Sequence, residues 1–285
     1  MQPSLEEWIA AGSWLEVGGH RVFYRQDGPA DGRAVTLLHG YPTSSHDWSG
    51  IVPALAESGC RVTTLDFLGF GASAKPRAHD YRMVEQADLV EELWKHLGIG
   101  ETALVAHDYG VSVAQELLAR DPGRITRMAW LNGGLYIDLY RPMAIQKLMI
   151  SPVGKLLGPL MSETSYRASV KRTAGRPLAE DVLHEMWLAT ARDGGTRIQW
   201  QLNRYHDERH AHATRWQRAL ETYAGPTLFL WGPADPISGG QIERFRERLP
   251  GAEIRVLDDA PAVGHWPQLE DPETVRTALT GFLAG

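Results

Sequence analysis

Asp108, Asp235 and His265 are the side chains whose types and order along the chain could do displacement chemistry. Asp108 is the centre of Ala106-His107-Asp108-Tyr109-Gly110. Before it, Thr102 to Ala106 reads as a buried strand; after it, Val111, Val113, Ala114, Leu117 and Leu118 recur at helical spacing. Strand, sharp turn and helix are the setting of a nucleophile elbow, where small residues two before and two after the tip let the helix and strand backbones approach. Ala106 and Gly110 fill those places, the first an alanine where the motif usually has glycine. No G-x-S-x-G occurs, so a serine nucleophile has no visible place. A carboxylate is already an anion at neutral pH and can attack an electrophilic sp³ carbon directly, forming an ester that water must then cleave. The plainer reading of the pentapeptide alone is an aspartate that caps the following helix.

Three more segments favour the chemical reading. His39-Gly40-Tyr41-Pro42 follows the apolar run Ala34 to Leu38, and its glycine and proline force an irregular turn. The Tyr41 N–H, with the Tyr109 N–H at the elbow, would make an oxyanion hole. Asp235 follows the strand-like Thr227 to Leu230, and His265 lies in Gly264-His265-Trp266-Pro267 beyond Glu253 to Leu257. In these positions His265 would activate the ester-cleaving water, while Asp235 would hold its imidazole in the right tautomer and stabilise the imidazolium. His39, Asn132 and Trp266 are expected to meet the substrate, Asn132 by positioning water or the acid.

The elements that must hold these residues alternate. Trp14 to Val17 and His20 to Tyr24 flank Gly18-Gly19 as an edge hairpin. Strands at Ala34 to Leu38, Arg61 to Asp66, Thr102 to His107 and Ile125 to Leu131 then alternate with helical patterns such as Met83 to Leu97, which means a mostly parallel, doubly wound α/β sheet. From 136 to 216 the spacing is helical, broken by Pro142, Pro152, Pro159, Gly175 and Pro177; this reads as a helical cap over the carboxyl ends of the strands. The expected division is a first core part at 1–135, the cap at 136–216 and a second core part at 217–285.

Taken together, these segments resemble the aspartate-nucleophile branch of the α/β-hydrolases, the epoxide hydrolases and haloalkane dehalogenases. Asp66 to Pro76 looks like the loop those families carry after the next strand. The stretches His39 to Trp48, Asp66 to Pro76, His107 to Leu118, Leu131 to Gly134 and Pro267 to Pro272 resemble the mesoderm-specific transcript proteins of that branch. The resemblance implies an α/β-hydrolase fold with an eight-stranded sheet, an Asp108 nucleophile, and no cofactor or metal. Leu202-Asn203-Arg204-Tyr205 is similar to the cap segment that carries a ring-opening tyrosine in epoxide hydrolases, which makes Tyr205 the expected proton donor, with Tyr166 and Tyr140 as candidates for a second. Haloalkane dehalogenases place a tryptophan after the nucleophile, where this chain has Tyr109, and an asparagine or tryptophan after His-Gly, where it has Tyr41. The reading is therefore an epoxide hydrolase acting on a small apolar electrophile. A haloalkane dehalogenase is the alternative, and a non-catalytic or acyl-transferring lipid-binding member is a third.

Composition agrees with an ordinary globular enzyme: 285 residues, 43% hydrophobic and 22% charged, with a net charge of −6 that gives no basic footprint for nucleic acid. Cys60 is the only cysteine, so an intramolecular disulfide is excluded. Met1 to Glu16 lacks a signal-peptide pattern and no apolar run approaches a membrane span, so a cytoplasmic location is expected. Whether the chain is a monomer or a homodimer stays open. His206, His210 and His212 include an i, i+4 pair without an evident third ligand, and Arg204, Glu208 and Arg209 beside them read as a solvated face. His107 is expected to point into the internal hydrogen-bond network.

Overall fold

The computed structural model describes residues 2–151 and 153–284, so Pro152, one of the expected breaks, lies outside the described residues. Among them eight strands form one sheet: β1 (Ser13–Val17), β2 (His20–Asp27), β3 (Arg33–Leu38), β4 (Cys60–Leu65), β5 (Thr102–His107), β6 (Ile125–Leu131), β7 (Thr227–Trp231) and β8 (Glu253–Val256). Their order is β1-β2-β4-β3-β5-β6-β7-β8. The edge hairpin β1–β2 runs antiparallel to its neighbours, and from β4 to β8 every pairing is parallel. This is the α/β-hydrolase fold that the sequence resemblance implied.

Strand β5 shows why the middle of the sheet reads as an unbroken apolar run. All six of its residues are buried, because helices cover both faces. Leu104 and Ala106 join one core cluster, which contains Leu93 of α3 (Met83–His96) and Leu117 of α4 (Tyr109–Arg120). Ala103 and Val105 join the other, with Leu55 of α2 (Val52–Glu57) and Leu279 of α13 (Pro272–Ala284). The two-residue period of a strand delivers alternate side chains to the two layers. Helices α1 (Leu5–Ala10), α11 (Ile242–Arg248) and α12 (Pro267–Glu270) complete this part.

Between β6 and β7 the chain is helical: α5 (Ala144–Ile150), α6 (Gly154–Leu157), α7 (Glu163–Lys171), α8 (Glu180–Ala191), α9 (Gln199–Leu202) and α10 (Tyr205–Thr222). Tyr166, Val170, Leu183 and Met186 of α7 and α8 form a small core of their own, closed by Trp266. Helix α10 is polar in composition and is fastened to α4 by polar bonds. The buried Glu116 carboxylate accepts from Trp216 Nε1 at 2.6 Å and from Arg120 Nε at 2.8 Å, and it pairs with Arg215. No helix among the described residues is long and apolar enough to cross a membrane.

Glu116→Ala strands the Trp216 N–H and unpairs Arg215, while Arg120 keeps Asp88 and Glu91, so it is expected to lower stability by about 1–3 kcal/mol in denaturant unfolding. An unchanged midpoint would show that this junction holds nothing together.

Candidate active site

Asp108 is the residue between the last position of β5 and the first of α4, with φ 45° and ψ −104°. A non-glycine residue at positive φ costs about 1–3 kcal/mol and persists where its surroundings over-determine it. Here they do. Asp108 N–H donates to Asn132 O at 2.8 Å, Gly110 N–H to His39 O at 3.0 Å, and Arg209 Nη2 to the Asp108 carbonyl at 3.0 Å. The flanking glycines are sterically required: a Cβ on Gly110 would lie 2.6 Å from Leu38 O, and one on Gly40 would lie 2.9 Å from the Asp108 Cβ. Asp66 ties the loop after β3 to the loop after β4, its two carboxylate oxygens accepting from Ser45 N–H and Ala72 N–H, each at 2.7 Å.

The three residues that are far apart in sequence meet at the carboxyl end of the sheet. His265 Nε2 donates to Asp108 Oδ2 and His265 Nδ1 donates to Asp235 Oδ2, both at 2.9 Å. Ionised carboxylates only accept, so both ring nitrogens carry hydrogen and the ring is an imidazolium. Burial alone would depress the His265 pKa, but the Asp235 charge and the Asp108 contact overcome it and push the ring up to about 10. Burial likewise works against the Asp108 charge; the His265 bond and charge, then Arg209, hold its carboxyl below the ordinary carboxylate range. Asp235 is fixed in turn by Ile237 N–H at 2.8 Å and by Ser238 Oγ–H. Asn132 also bonds it, at 3.1 Å, while accepting from Gly232 N–H at 2.7 Å. Asn132 therefore positions the acid from behind. His107 lies in the expected network, donating from Nε2 to His265 O at 2.7 Å and accepting from Gln268 Nε2 at 3.1 Å.

Above this cluster is a cavity of about 390 Å³ whose wall comes mostly from the helical insertion, Leu, Met and Val side chains among it. Asp108, His265, Tyr41 and Trp266 all reach it. A model of the alpha/beta hydrolase fold family matches residues 33–272. The chain belongs to that family. It is 38% identical to the mesoderm-specific transcript homolog protein of Bos taurus over 99% of this chain and 89% of the relative. It is 37% identical to LipZ of Mycobacterium tuberculosis, over 99% of this chain and 98% of the relative. Among solved structures it is similar to haloalkane dehalogenase DbeA from Bradyrhizobium elkani, with a TM-score of 0.83 and 26% identity, covering 96% of this chain and 97% of that one.

Within this α/β-hydrolase site some expected residues stand elsewhere. His39 does not line the cavity. It is fully buried, with Nε2 accepting from Phe67 N–H at 3.1 Å and Nδ1 bonded to Gly40 O, so it shapes the loop instead of meeting substrate. Tyr205 does not line it either; its ring stacks on His206 and its hydroxyl sits 3.4 Å from that of Tyr140. Tyr166 does line it, but its hydroxyl oxygen is enclosed. The N–H groups of Tyr41 and Tyr109 are not donated to any acceptor among the described residues, and the Tyr109 ring packs between Phe67 and Phe70.

The face of α10 expected to be solvated is the largest correction. Arg204 is exposed, but Arg209 is 2% exposed and points at the elbow. Its Nε donates to Ser112 Oγ at 2.8 Å, its Nη2 lies 3.8 Å from Asp108 Oδ1, and its guanidinium carbon is 4.5 Å from the Tyr205 ring centre and 5.0 Å from that of Tyr140. Glu208 accepts from Met83 N–H at 3.0 Å, capping α3. His206 is buried and depressed to about 3, first by burial and then by Arg209, so it is neutral. No group of three metal-ligating side chains occurs among the described residues. The sequence did carry one signal for Arg209, since it lies four residues after Tyr205 and i, i+4 residues share a helix face.

Arg209→Met removes a cation from beside the Asp108 carboxylate. The Asp108 pKa is expected to rise, read by carboxyl-carbon NMR titration; an unshifted titration would remove Arg209 from the electrostatics of the site.

Proposed function

We propose that the protein hydrolyses epoxides through a covalent ester on Asp108, with the helical insertion acting as a cap. The observation that carries this reading is an ionised aspartate at a strained elbow, 2.9 Å from an imidazole, at the base of an apolar cavity. Asp108 lines the cavity, and one of its carboxylate oxygens would displace the ring oxygen from a substrate carbon.

Ester formation then changes the electrostatics in the direction the second step needs. One of the two carboxylates holding His265 up to about 10 becomes neutral, so the imidazolium gives up its Nε2 proton more readily and the neutral ring can take one from water. Asp235 keeps Nδ1–H oriented throughout. The oxyanion formed when water adds would be met by the Tyr41 and Tyr109 N–H groups. Lacking Asp108 charge, the ester form has its His265 pKa below that of the free enzyme, and ester hydrolysis rises with pH through that lower value.

A haloalkane dehalogenase is the second reading, favoured by the structural likeness to DbeA over nearly the whole chain. Against it stands Tyr109, whose phenol is enclosed by Phe67 and Phe70 and is not presented to the cavity.

Incubating His265→Ala with panels of apolar epoxides and haloalkanes separates these readings. The expected result is an adduct on Asp108, found by peptide mass spectrometry with an epoxide and cleaved slowly. Adducts from haloalkanes alone would establish the second reading, and no adduct from either panel would overturn both.

A further inference from the structure

The polar groups on the cavity wall suggest how the leaving atom is received, an inference that rests on the epoxide reading above. Asn203 is 1% exposed and lines the cavity beside Tyr41. Its Nδ2 donates to Gln199 O at 2.8 Å and to Tyr41 Oη at 2.6 Å. A backbone carbonyl only accepts, so the amide nitrogen must face Gln199, and its two hydrogens are both used. The Tyr41 oxygen is thereby an acceptor, and its own hydrogen has no acceptor among the described residues. Asn203 Oδ1 is enclosed and does not reach the cavity. An unused donor thus lies on the wall of a cavity that also holds the Asp108 carboxylate.

We propose that the Tyr41 hydroxyl, oriented by Asn203, is the acid that protonates the leaving oxygen. The donor suits an oxygen leaving group, which needs a proton as the carbon–oxygen bond breaks, whereas a halide leaves without one. Tyr205, the donor expected from sequence, has its hydroxyl turned to Tyr140 away from the cavity.

The step balances as follows. An Asp108 oxygen forms a bond to one epoxide carbon, the carbon–oxygen bond breaks, and its electron pair stays on the oxygen, which takes the Tyr41 proton. The phenolate left behind keeps the Asn203 N–H. Water then adds to the ester carbonyl, giving the diol and an Asp108 carboxyl, and that carboxyl's proton restores the phenol. Burial keeps Tyr41 protonated at neutral pH, so the proton is available when attack begins.

The test uses the full chain in the His265→Ala background, where the ester accumulates, with styrene oxide and 1-bromohexane as probes. Adding Tyr41→Phe is expected to slow ester formation from styrene oxide by about 10²–10⁴-fold, the range of a lost general acid. Ester formation from 1-bromohexane, whose bromide leaves without a proton, is expected to slow by far less than ester formation from styrene oxide. Asn203→Ala keeps the phenol and is expected to lose less, in the same sense. Thermal melting checks that each variant is folded. Ester formation from styrene oxide at the parent rate in Tyr41→Phe, equal slowing with both probes, or the same loss on Tyr205→Phe instead would overturn the proposal. If His265→Ala with Tyr41 intact forms no ester with styrene oxide or any other epoxide, the epoxide reading itself has failed, a distinguishable result.

Discussion

An imidazolium held between two buried carboxylates is the interaction on which the rest of this structure depends. Isolated buried charges are costly, and a pair is tolerated only when geometry and further hydrogen bonds compensate. Asp108, Asp235 and His265 alone would leave one negative charge in excess. Arg209, itself almost wholly enclosed, supplies the missing positive charge at 3.8 Å from Asp108 Oδ1. The cluster is then neutral as a whole while each member stays ionised. That arrangement lets the Asp108 carboxylate be desolvated without being protonated, and it joins the helical insertion, which carries Arg209, to the elbow.

The sheet provides what such a cluster requires of a backbone. Asp108 and Asp235 follow the buried strands β5 and β7, and His265 follows the edge strand β8 and its loop. Neighbouring parallel strands bring these ends together, and Asn132 at the end of β6 bridges to the β7 loop. Strain at Asp108 is held by bonds from three separate segments, contributed by Asn132, His39 and Arg209. Placing the tip of the elbow therefore draws on the packing of the whole domain.

This explains what could be read from residues alone. Strands β5 and β6 have the bounds expected of them, because β5 is buried throughout and the second half of β6, Met128 to Leu131, is a buried apolar run. The order of Asp108, Asp235 and His265 was legible because each sits directly beyond such a run or its loop. Helix α10 was not. Helical spacing says which residues share a face but not what that face meets, and a face carrying Arg209, Glu208 and His206 looks like a surface by composition. Its burial depends on partners distant in sequence, such as Ser112 and the Asp108 carbonyl. Tyr205 and His39 were misplaced for a related reason: a motif gives a residue's position on the backbone, whereas the direction of its side chain is set by neighbours such as Tyr140 and Phe67.

The central claim is that an oxygen of Asp108, and not water, bonds to the substrate first. A single turnover with enzyme in excess over styrene oxide, run in ¹⁸O-labelled water, tests it most directly. The expected result is label in the Asp108 carboxylate and an unlabelled diol, because the incoming water adds to the ester carbonyl. Label in the diol with none in Asp108 would mean that water attacks the substrate directly, and would contradict the covalent route.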